Sequence, residues 1–414
     1  VWENVALGDT GRLSRSGVRD AVGDLSDRYG LRIDPDALVA DLPVGLRQRV
    51  EILKCLRREP EILIFDEPTS VLTPEESDDL FRSLRGVVEQ EGRSVALVSH
   101  KLTEMLDVTD RVTIMRNGSV VERFVTTEVD AGMLATAMVG RDVRLRSAQE
   151  MSQSDTRERV VADGGGSLPV LEFRNVEVRE SGGSLELDDL TFSLGTGEIL
   201  GMAGVEGNGQ RVIADLLSGL RNRSGGEILV NGSVVDVSQP GSAMDAGIAV
   251  IPEDRHDSGI VLEMTVAENL MLSDPSGMSS HGVIDGLRRE KMAADLIERF
   301  AIMCTGPDAP MWTLSGGNQQ RVVLAREIAA EPTVLVAAQP TRGLDVGAIE
   351  YMTDQLRQAA GSGVGILLIS SELDEILELA DRILVIYRGQ VTGEMTRSEA
   401  TREKIGRLMG GDIL

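Results

Sequence analysis

Two carboxylates, Asp66 and Glu67, follow an apolar run at Ile62–Phe65 and are the residues best suited to catalysis. An apolar run of this length predicts a strand buried on both faces of a parallel sheet. Ligands collect at the carboxyl ends of such strands, so both carboxylates are expected at a binding edge. We expect Asp66 to hold Mg²⁺ through water and Glu67 to orient and polarise an attacking water. The alternative is a strand that ends in a solvated acidic turn.

A glycine-rich loop follows the predicted strand Glu198–Ala203 and opens a predicted helix that runs through Leu217. Its glycine spacing fits G-x-x-x-x-G-K-[ST], whose backbone N–H groups converge on phosphate oxygens at a helix N-terminus. The lysine position holds Gln210, the magnesium-ligating Ser/Thr position holds Arg211, and Glu206 would repel phosphates. We interpret it as a degenerate phosphate loop rather than an ordinary glycine turn. Its nucleotide-binding candidates are Gly204, Val205, Glu206, Gly207, Asn208, Gly209, Gln210 and Arg211.

A second candidate for phosphate contact is a serine–glycine tip that precedes a predicted helix. The serine supplies a hydroxyl and the glycines supply free N–H groups, all aimed by the positive end of the helix dipole. Such a tip is suited to the terminal phosphate of a nucleotide held by another domain. The alternative is a serine N-cap with a glycine turn. The candidate residues are Leu314, Ser315, Gly316, Gly317 and Asn318.

An internal repeat relates these groups. The segment Leu42–Arg49 stands 272 positions before Leu314–Arg321, and Ile64–Pro68 stands at the same distance before Val336–Pro340. A repeat of this length indicates two homologous domains rather than a solenoid, whose units are far shorter.

The two copies keep different groups. In the second copy the carboxylate positions hold Ala338 and Gln339, which cannot hold magnesium or polarise water, so that site is expected to be inert. In the first copy the tip holds Pro43, which lacks both a hydroxyl and an N–H. His100, a further candidate in the first copy, has Ser371 as its counterpart. A lone histidine is more often structural, so the role of His100 depends on its context.

The elements that must position these groups alternate between strand and helix, which predicts βαβ units and a parallel sheet. Asn117-Gly118 and its counterpart Arg388-Gly389 predict tight hairpin turns, so each copy should end in an antiparallel ribbon beside the parallel core. The main predicted strands are Glu61–Phe65, Ser94–Val98, Thr333–Ala337 and Gly363–Ile369, and the main predicted helices are Arg47–Leu56 and Gln319–Ala330.

Composition narrows the classes of function. The 414 residues can form two or three domains with large cores. The two cysteines have no paired spacing, which excludes a disulfide framework or zinc site, and no apolar run reaches 18 residues. A net charge of −25 argues against nucleic acid as a partner. This charge indicates either a high-salt cytoplasm or an Arg-rich sequence from a GC-rich genome; full folding without added KCl would exclude the first.

These motifs resemble the ATP-binding subunits of ABC importers for simple sugars and nucleosides, which are tandem duplications of one ATPase domain. The resemblance covers nearly the whole chain and is closer to the nucleoside branch. It is supported by the strings Gly204–Gln210, Ile251–Arg255, Leu314–Arg321 and Ala337–Gly347.

The resemblance implies an α/β fold of tandem P-loop NTPase domains, each with a mainly parallel sheet core, an antiparallel β subdomain and a helical subdomain. Residues 1–142 would be the C-terminal part of the first domain, 143–168 a flexible linker, and 169–414 the second, degenerate domain. ATP and Mg²⁺ would be the cofactors. The implied partners are permease subunits, met by Ile251–Arg255 and the helical region after Val261, and indirectly an extracellular substrate-binding protein. The implied location is the cytoplasmic face of the membrane, as a peripheral protein.

The resemblance also assigns roles. His100 would contact the γ-phosphate beside Asp66 and Glu67, and these groups would act with the tip Ser315–Gly317 on one ATP. The Gly204–Arg211 loop would belong to a second site that holds nucleotide without turnover.

The repeat register matches Val1–Asn4 with Val266–Asn269, which predicts that about one hundred residues, including the phosphate loop of the first copy, lie outside this chain. Three hypotheses stay open: an importer ATPase subunit that is inactive as this chain alone, a soluble tandem ABC protein of translation or DNA repair, and a non-hydrolysing remnant. The soluble protein would need basic patches or inserted zinc-binding cysteines, and the sequence has neither.

Overall fold

A computed structural model describes residues 1–9, 14–42, 44–69, 74–99, 101–116, 118–139, 169–180, 184–205, 207–239, 241–273, 279–280 and 283–411. The chain divides into two compact units, unit 1 at Val1–Thr156 and unit 2 at Arg157–Leu414. The predicted linker 143–168 lies outside the described residues. None of the described helices is both long and apolar enough to cross a membrane.

Unit 1 alternates strands and helices as expected. Its helices are α1 (Trp2–Val5), α2 (Arg15–Arg28), α3 (Val44–Leu56), α4 (Pro74–Glu91), α5 (Leu102–Val108) and α6 (Ala131–Val139). Its strands are β1 (Ile62–Asp66), β2 (Ser94–Val98), β3 (Arg111–Arg116) and β4 (Ser119–Val125). Strands β1 and β2 pair in parallel, from Ile62 opposite Ser94 to Asp66 opposite Val98. Strands β3 and β4 form the predicted antiparallel ribbon.

The prediction that β1 is buried on both faces is wrong. Leu63 and Phe65 pack into the helical core of unit 1, but Ile62 and Ile64 are 65% and 72% exposed. The physical reason is that β1 and β2 form a two-stranded sheet whose helices cover one face, so alternate residues of β1 remain open.

Unit 2 contains a larger mixed fold. Its strands are β5 (Leu171–Arg179), β6 (Leu185–Leu194), β7 (Ile199–Ala203), β8 (Gly225–Val230), β9 (Ser233–Val234), β10 (Ile248–Ile251), β11 (Ser279–Ser280), β12 (Val283–Ile284), β13 (Val334–Ala338), β14 (Gly365–Ser370), β15 (Arg382–Tyr387) and β16 (Gln390–Thr396). Its helices are α7 (Gln210–Leu217), α8 (Ser242–Asp245), α9 (Val266–Leu270), α10 (Gly286–Arg299), α11 (Gly316–Ala329), α12 (Val346–Gly361), α13 (Leu373–Leu379) and α14 (Arg402–Met409).

The central sheet of unit 2 has the order β10-β13-β14-β7-β15-β16. Only the β15–β16 pair in this sheet is antiparallel, and the remaining pairs are parallel. Every residue of β13 is buried, because Val334 and Val336 face one core cluster and Leu335 and Ala337 face the other. A four-stranded antiparallel sheet, β6-β5-β8-β9, lies beside it. The predicted α/β fold with a mainly parallel core and an antiparallel subdomain is confirmed.

Capping residues explain where the helices begin. Asp345 caps α12 by accepting a 2.9 Å bond from the Ala348 N–H. Thr265 and Glu268 form a reciprocal capping box at α9. The predicted boundaries shift by a few residues: β13 begins one residue later than expected, and α11 begins at Gly316 rather than Gln319.

Candidate functional site

The two carboxylates of unit 1 lie at the C-terminal end of β1, where the sequence placed them. Asp66 is exposed and ends the strand. Glu67 adopts the left-handed conformation (φ 45°), which is uncommon for a residue with a side chain. Its N–H donates to Val98 O at 2.8 Å, so the turn is fixed against the neighbouring strand β2. Asp66 therefore lies next to solvent, and the backbone of Glu67 is held by β2.

Unit 2 repeats this turn with neutral residues. Gln339 is left-handed (φ 47°), and its N–H donates to Ile369 O at 2.7 Å. Its amide Nε2 donates to Ser371 Oγ at 3.1 Å, while its Oε1 accepts from the Ser371 N–H at 3.2 Å. Ala338, in the place of Asp66, is buried. The same turn thus carries Gln339 and Ser371, which hydrogen-bond to each other, where the turn of unit 1 carries the carboxylates of Asp66 and Glu67.

Several predicted residues lie outside the described part of the chain. These are His100, Pro43, Glu206 and Asn117. Their expected roles stay predictions.

The glycine loop of unit 2 has the backbone that its sequence requires. Gly207 and Gly209 have φ values of 91° and 111°, in the left-handed region that favours glycine. Gly209 is the N-cap of α7, and a Cβ built on it would lie 2.8 Å from Leu187 Cδ2. Asn208 ties the loop to the β15–β16 turn, because its Oδ1 accepts from the Arg388 N–H at 2.8 Å. Val205 O accepts from the Asn208 N–H at 3.2 Å, which closes the turn.

The side chains at the lysine and hydroxyl positions of this loop differ in exposure. Gln210 is 7% exposed, and its Oε1 has no hydrogen-bond partner among the described residues. It packs under the loop, since a Cβ on Gly204 would lie 2.4 Å from Gln210 Nε2. Arg211 is exposed and makes only long ion pairs, at 3.7 Å to Asp215 and 3.9 Å to Asp257. Its guanidinium can therefore turn toward an anion at the helix N-terminus.

A cavity of about 1620 Å³ opens in front of this loop. Gly207, Gly209, Gln210 and Arg211 line one side, and Ala338 and Gln339 line another. Burial raises the pKa of the Asp215 carboxyl in its wall, although Arg211 lowers it. The Arg342 guanidinium pairs with Glu253 at 2.6 Å across the same wall. The cavity thus lies where a ligand of the glycine loop would bind, and it is larger than the roughly 300–1,000 Å³ of a typical small-molecule site.

The serine–glycine tip of unit 2 leaves its serine hydroxyl available to contact a ligand. Ser315 is exposed, is the N-cap of α11 and makes no side-chain cap with its own helix. Its Oγ accepts from Asn318 Nδ2 at 2.9 Å, which orients the hydroxyl and leaves its proton to donate. The Asn318 side chain is fixed in turn, because its Oδ1 accepts from the Met303 N–H at 2.8 Å. Leu314 is buried behind the tip.

The glycines of the tip lie close to neighbouring side chains. A Cβ on Gly316 would lie 2.8 Å from Arg255 Nη2, and one on Gly317 would lie 3.2 Å from Ala348 Cβ.

The helix of unit 1 that is equivalent to α11 is α3, and it forms as well. Near its start, Arg47 donates to Leu42 O at 2.8 Å and to Ala40 O at 2.7 Å.

Sequence reasoning missed two features. His256 approaches Gln319 Oε1 of α11 at 2.9 Å through Nε2 and so joins the segment after Arg255 to the helix that follows the serine–glycine tip. A largely shielded carboxyl also recurs beside each turn that follows β1 or β13, here called the strand-end turn: Glu104 in unit 1 and Glu375 in unit 2. The 271-residue spacing of these glutamates, within one of the repeat offset, was the available signal.

Comparison with known proteins gives a consistent set of matches. Residues 187–342 match the ABC transporter family. A nucleoside import ATP-binding protein of Lactococcus lactis is 40% identical over 420 residues, covering 100% of this chain and 80% of that protein. A guanosine import ATP-binding protein of Bacillus subtilis is 39% identical, covering 99% of this chain and 79% of that protein. A glucose import ATP-binding protein of Haloferax volcanii is 42% identical, covering 94% of this chain and 70% of that protein.

One solved structure with a similar fold is a nucleotide-free ATP-binding cassette from an ABC transporter. It is 21% identical, with a TM-score of 0.48 over 59% of this chain and 96% of that chain.

Proposed function

The chain belongs to the ATP-binding proteins of ABC importers, and from that premise we propose that it powers uptake of a nucleoside through ATP hydrolysis by groups of unit 1. The observation that carries the proposal is the repeated strand-end turn, with Asp66 and Glu67 in one unit and Ala338 and Gln339 in the other. The nucleoside assignment is supported by relatives named for nucleoside and guanosine import. A simple sugar is the second candidate, because a relative of similar identity is named for glucose import.

In this proposal unit 1 carries the hydrolytic chemistry. Asp66 holds Mg²⁺ through water, since carboxylates and phosphate oxygens are the ligands that this ion prefers. Glu67 orients the attacking water, and its fixed backbone supports that role. His100 contacts the γ-phosphate. The exposed Ser315 hydroxyl and the N–H groups of Gly316 and Gly317 are suited to stabilise charge that develops on the terminal phosphate of a nucleotide.

Unit 2 holds nucleotide and does not hydrolyse it. We expect this binding to be independent of Mg²⁺, because Ala338 and Arg211 replace the two residues that would hold the ion. The guanidinium of Arg211 supplies positive charge in place of the metal. EDTA should leave the ATP affinity of the chain within about twofold, and Arg211→Ser should weaken it about tenfold. Calorimetric titration of ATP with and without Mg²⁺ measures both effects.

The matched control is Arg288→Ser, which removes an exposed arginine of α10 and should not alter the affinity. Strict dependence of binding on Mg²⁺, or an unchanged affinity in Arg211→Ser, would contradict this description of unit 2.

A membrane permease is the proposed partner, and the cytoplasmic face of the membrane is the proposed location. Support comes from exposed apolar side chains beside the Ile251–Arg255 segment, including Val261, Met264 and Trp312. Asn269 fixes this surface, since its Oδ1 accepts from the Val261 N–H at 2.8 Å and its Nδ2 donates to Val261 O at 3.0 Å. An extracellular binding protein would then deliver the substrate to the permease.

Uptake measurements test the proposal directly. Cells that carry the protein's own gene together with its permease genes should accumulate labelled guanosine, and deletion of the gene should abolish accumulation. Labelled ribose and glucose serve as the comparison. Uptake of a sugar in place of guanosine would establish the second candidate. Unchanged uptake of all three after deletion would overturn the importer function in favour of a soluble tandem ABC protein.

A further inference from the structure

A buried carboxyl joins two loops beside the strand-end turn of unit 1. Thr69, two residues after Glu67, is buried and its Oγ1 lies 2.8 Å from both carboxylate oxygens of Glu104. Ser99 Oγ donates to the same carboxylate at 3.3 Å. Glu104 therefore joins the segment after β1 to the segment after β2. Its side chain is 14% exposed, and Lys101 lies 3.8 Å away.

Unit 2 repeats the same three residue types at the same places. Thr341 follows Gln339 by two residues, Ser370 ends β14, and Glu375 lies in the first turns of α13. Both carboxyl oxygens of Glu375 are shielded from solvent, and neither is within hydrogen-bonding geometry of a partner among the described residues. Burial raises the pKa of Glu375 to about 7, although the neighbouring hydroxyls of Ser370 and Thr341 lower it. The three residue types thus recur in the unit whose hydrolytic residues are replaced, whereas the hydrogen bonds to the carboxyl are present at Glu104 only, among the described residues.

The serine of each group also binds backbone. Ser99 Oγ accepts from the Lys101 N–H at 3.0 Å, and Ser370 Oγ accepts from the Glu372 N–H at 3.0 Å. In unit 1, the serine and this N–H flank position 100 in the sequence. The carboxyl, the threonine and the serine thus form one connection between the loop that carries Glu67 and the segment that contains position 100.

We propose that Glu104 is a positioning residue for ATP hydrolysis, which acts through Thr69 and Ser99 to set the register of the Glu67 turn against the segment around position 100. This inference rests on the proposed function of unit 1. Glu375 occupies the equivalent position in unit 2, where its carboxyl is buried beside Ser370 and Thr341. The carboxyl itself touches neither nucleotide nor water in this role.

The first test compares Thr69→Val with Thr69→Ser in the assembled, ATP-hydrolysing transporter. Valine keeps the shape of threonine and removes the hydroxyl, so kcat should fall about 10- to 100-fold with the KM for ATP unchanged. Serine keeps the hydroxyl and should retain parental kcat. Equal kcat in both variants and the parent would overturn the inference, as would a change in KM alone.

Glu67→Gln, measured beside them, separates two kinds of failure. If Glu67→Gln abolishes turnover and Thr69→Val is silent, only the positioning inference fails. If Glu67→Gln is also silent, the proposed function of unit 1 fails.

The second test uses this chain as it is and follows its unfolding equilibrium against pH. A carboxyl whose pKa is raised to about 7 on folding binds its proton more tightly in the folded state. Stability should then fall as pH rises from about 4.5 to 7, by up to tenfold in the folding equilibrium constant per pH unit. Glu375→Gln should remove that decline. The charged neighbours are Glu372 and Glu378 of α13, which raise the pKa further, and Arg357 of α12, which pairs with Glu378 at 3.0 Å.

An identical pH dependence in the parent and in Glu375→Gln would show that this carboxyl is not buried in the folded unit, and the recurrence of a shielded carboxyl beside both turns would lose its support. Glu378→Gln is the matched control, because it removes a partly exposed carboxyl from the same helix and should leave the decline in place.

Discussion

The substitution Glu67→Gln is expected to lower steady-state ATP turnover by about 10²- to 10⁴-fold in the assembled transporter, since it removes the general base and keeps the size of the side chain. The amide cannot accept a proton from water. The turn should survive, because Gln339 adopts the same left-handed conformation with the same backbone bond in unit 2. Phosphate release measured at saturating ATP gives the rate. ATP binding, measured separately, should persist.

Glu122→Gln provides the matched control for this variant. Glu122 is an exposed carboxylate on β4. The Glu122→Gln variant should therefore turn over ATP at the parental rate. Gln339→Ala is the informative comparison, because it alters the equivalent position of unit 2. A loss of turnover in Gln339→Ala as large as that in Glu67→Gln would place the hydrolytic chemistry in unit 2 and contradict the assignment.

The substitution Ser315→Ala should produce the second large effect, a fall in kcat of about 10²- to 10³-fold. The hydroxyl is expected to donate to charge that develops on the phosphate in the transition state. Because Ser315 does not cap its own helix through its side chain, its removal should not unfold α11. Thermal unfolding measured beside turnover checks that point: the unfolding midpoint should stay near that of the parent.

A second variant examines the orientation of this hydroxyl. Asn318→Ala removes the amide that donates to Ser315 Oγ and should lower kcat less than Ser315→Ala does. Ser233→Ala, at an exposed serine of β9, is the neutral control. Parental turnover in Ser315→Ala would show that the backbone N–H groups alone stabilise the charge on the phosphate.

The sequence predicted the strand–helix order, the hairpins and a glycine turn before α7, because each depends on local patterns, while the role of that turn as a degenerate phosphate loop stays a prediction. Gly207 and Gly209 occupy left-handed positions as their spacing required, and Arg388-Gly389 forms the turn between β15 and β16. The repeat also identified which residues of unit 2 stand in the strand-end turn. These features follow from short-range rules of backbone conformation and from comparison of the two copies.

Features that depend on tertiary neighbours could not be predicted in this way. The run Ile62–Phe65 is as apolar as Val334–Ala338, yet only the second is buried on both faces, since burial depends on which elements cover the sheet. The carboxyls of Glu104 and Glu375 lie far in sequence from Thr69 and Thr341, so only the fold brings them together. The high-salt hypothesis and the role of His100 stay predictions.

The open face of β1 has a practical consequence for anyone who purifies this polypeptide. Ile62 and Ile64 lie on the same face of a short parallel ribbon, and an exposed apolar face of this kind favours association between molecules. Concentrated preparations should therefore form soluble oligomers before they precipitate. Polar replacements at these two positions are the natural starting point for a better-behaved sample.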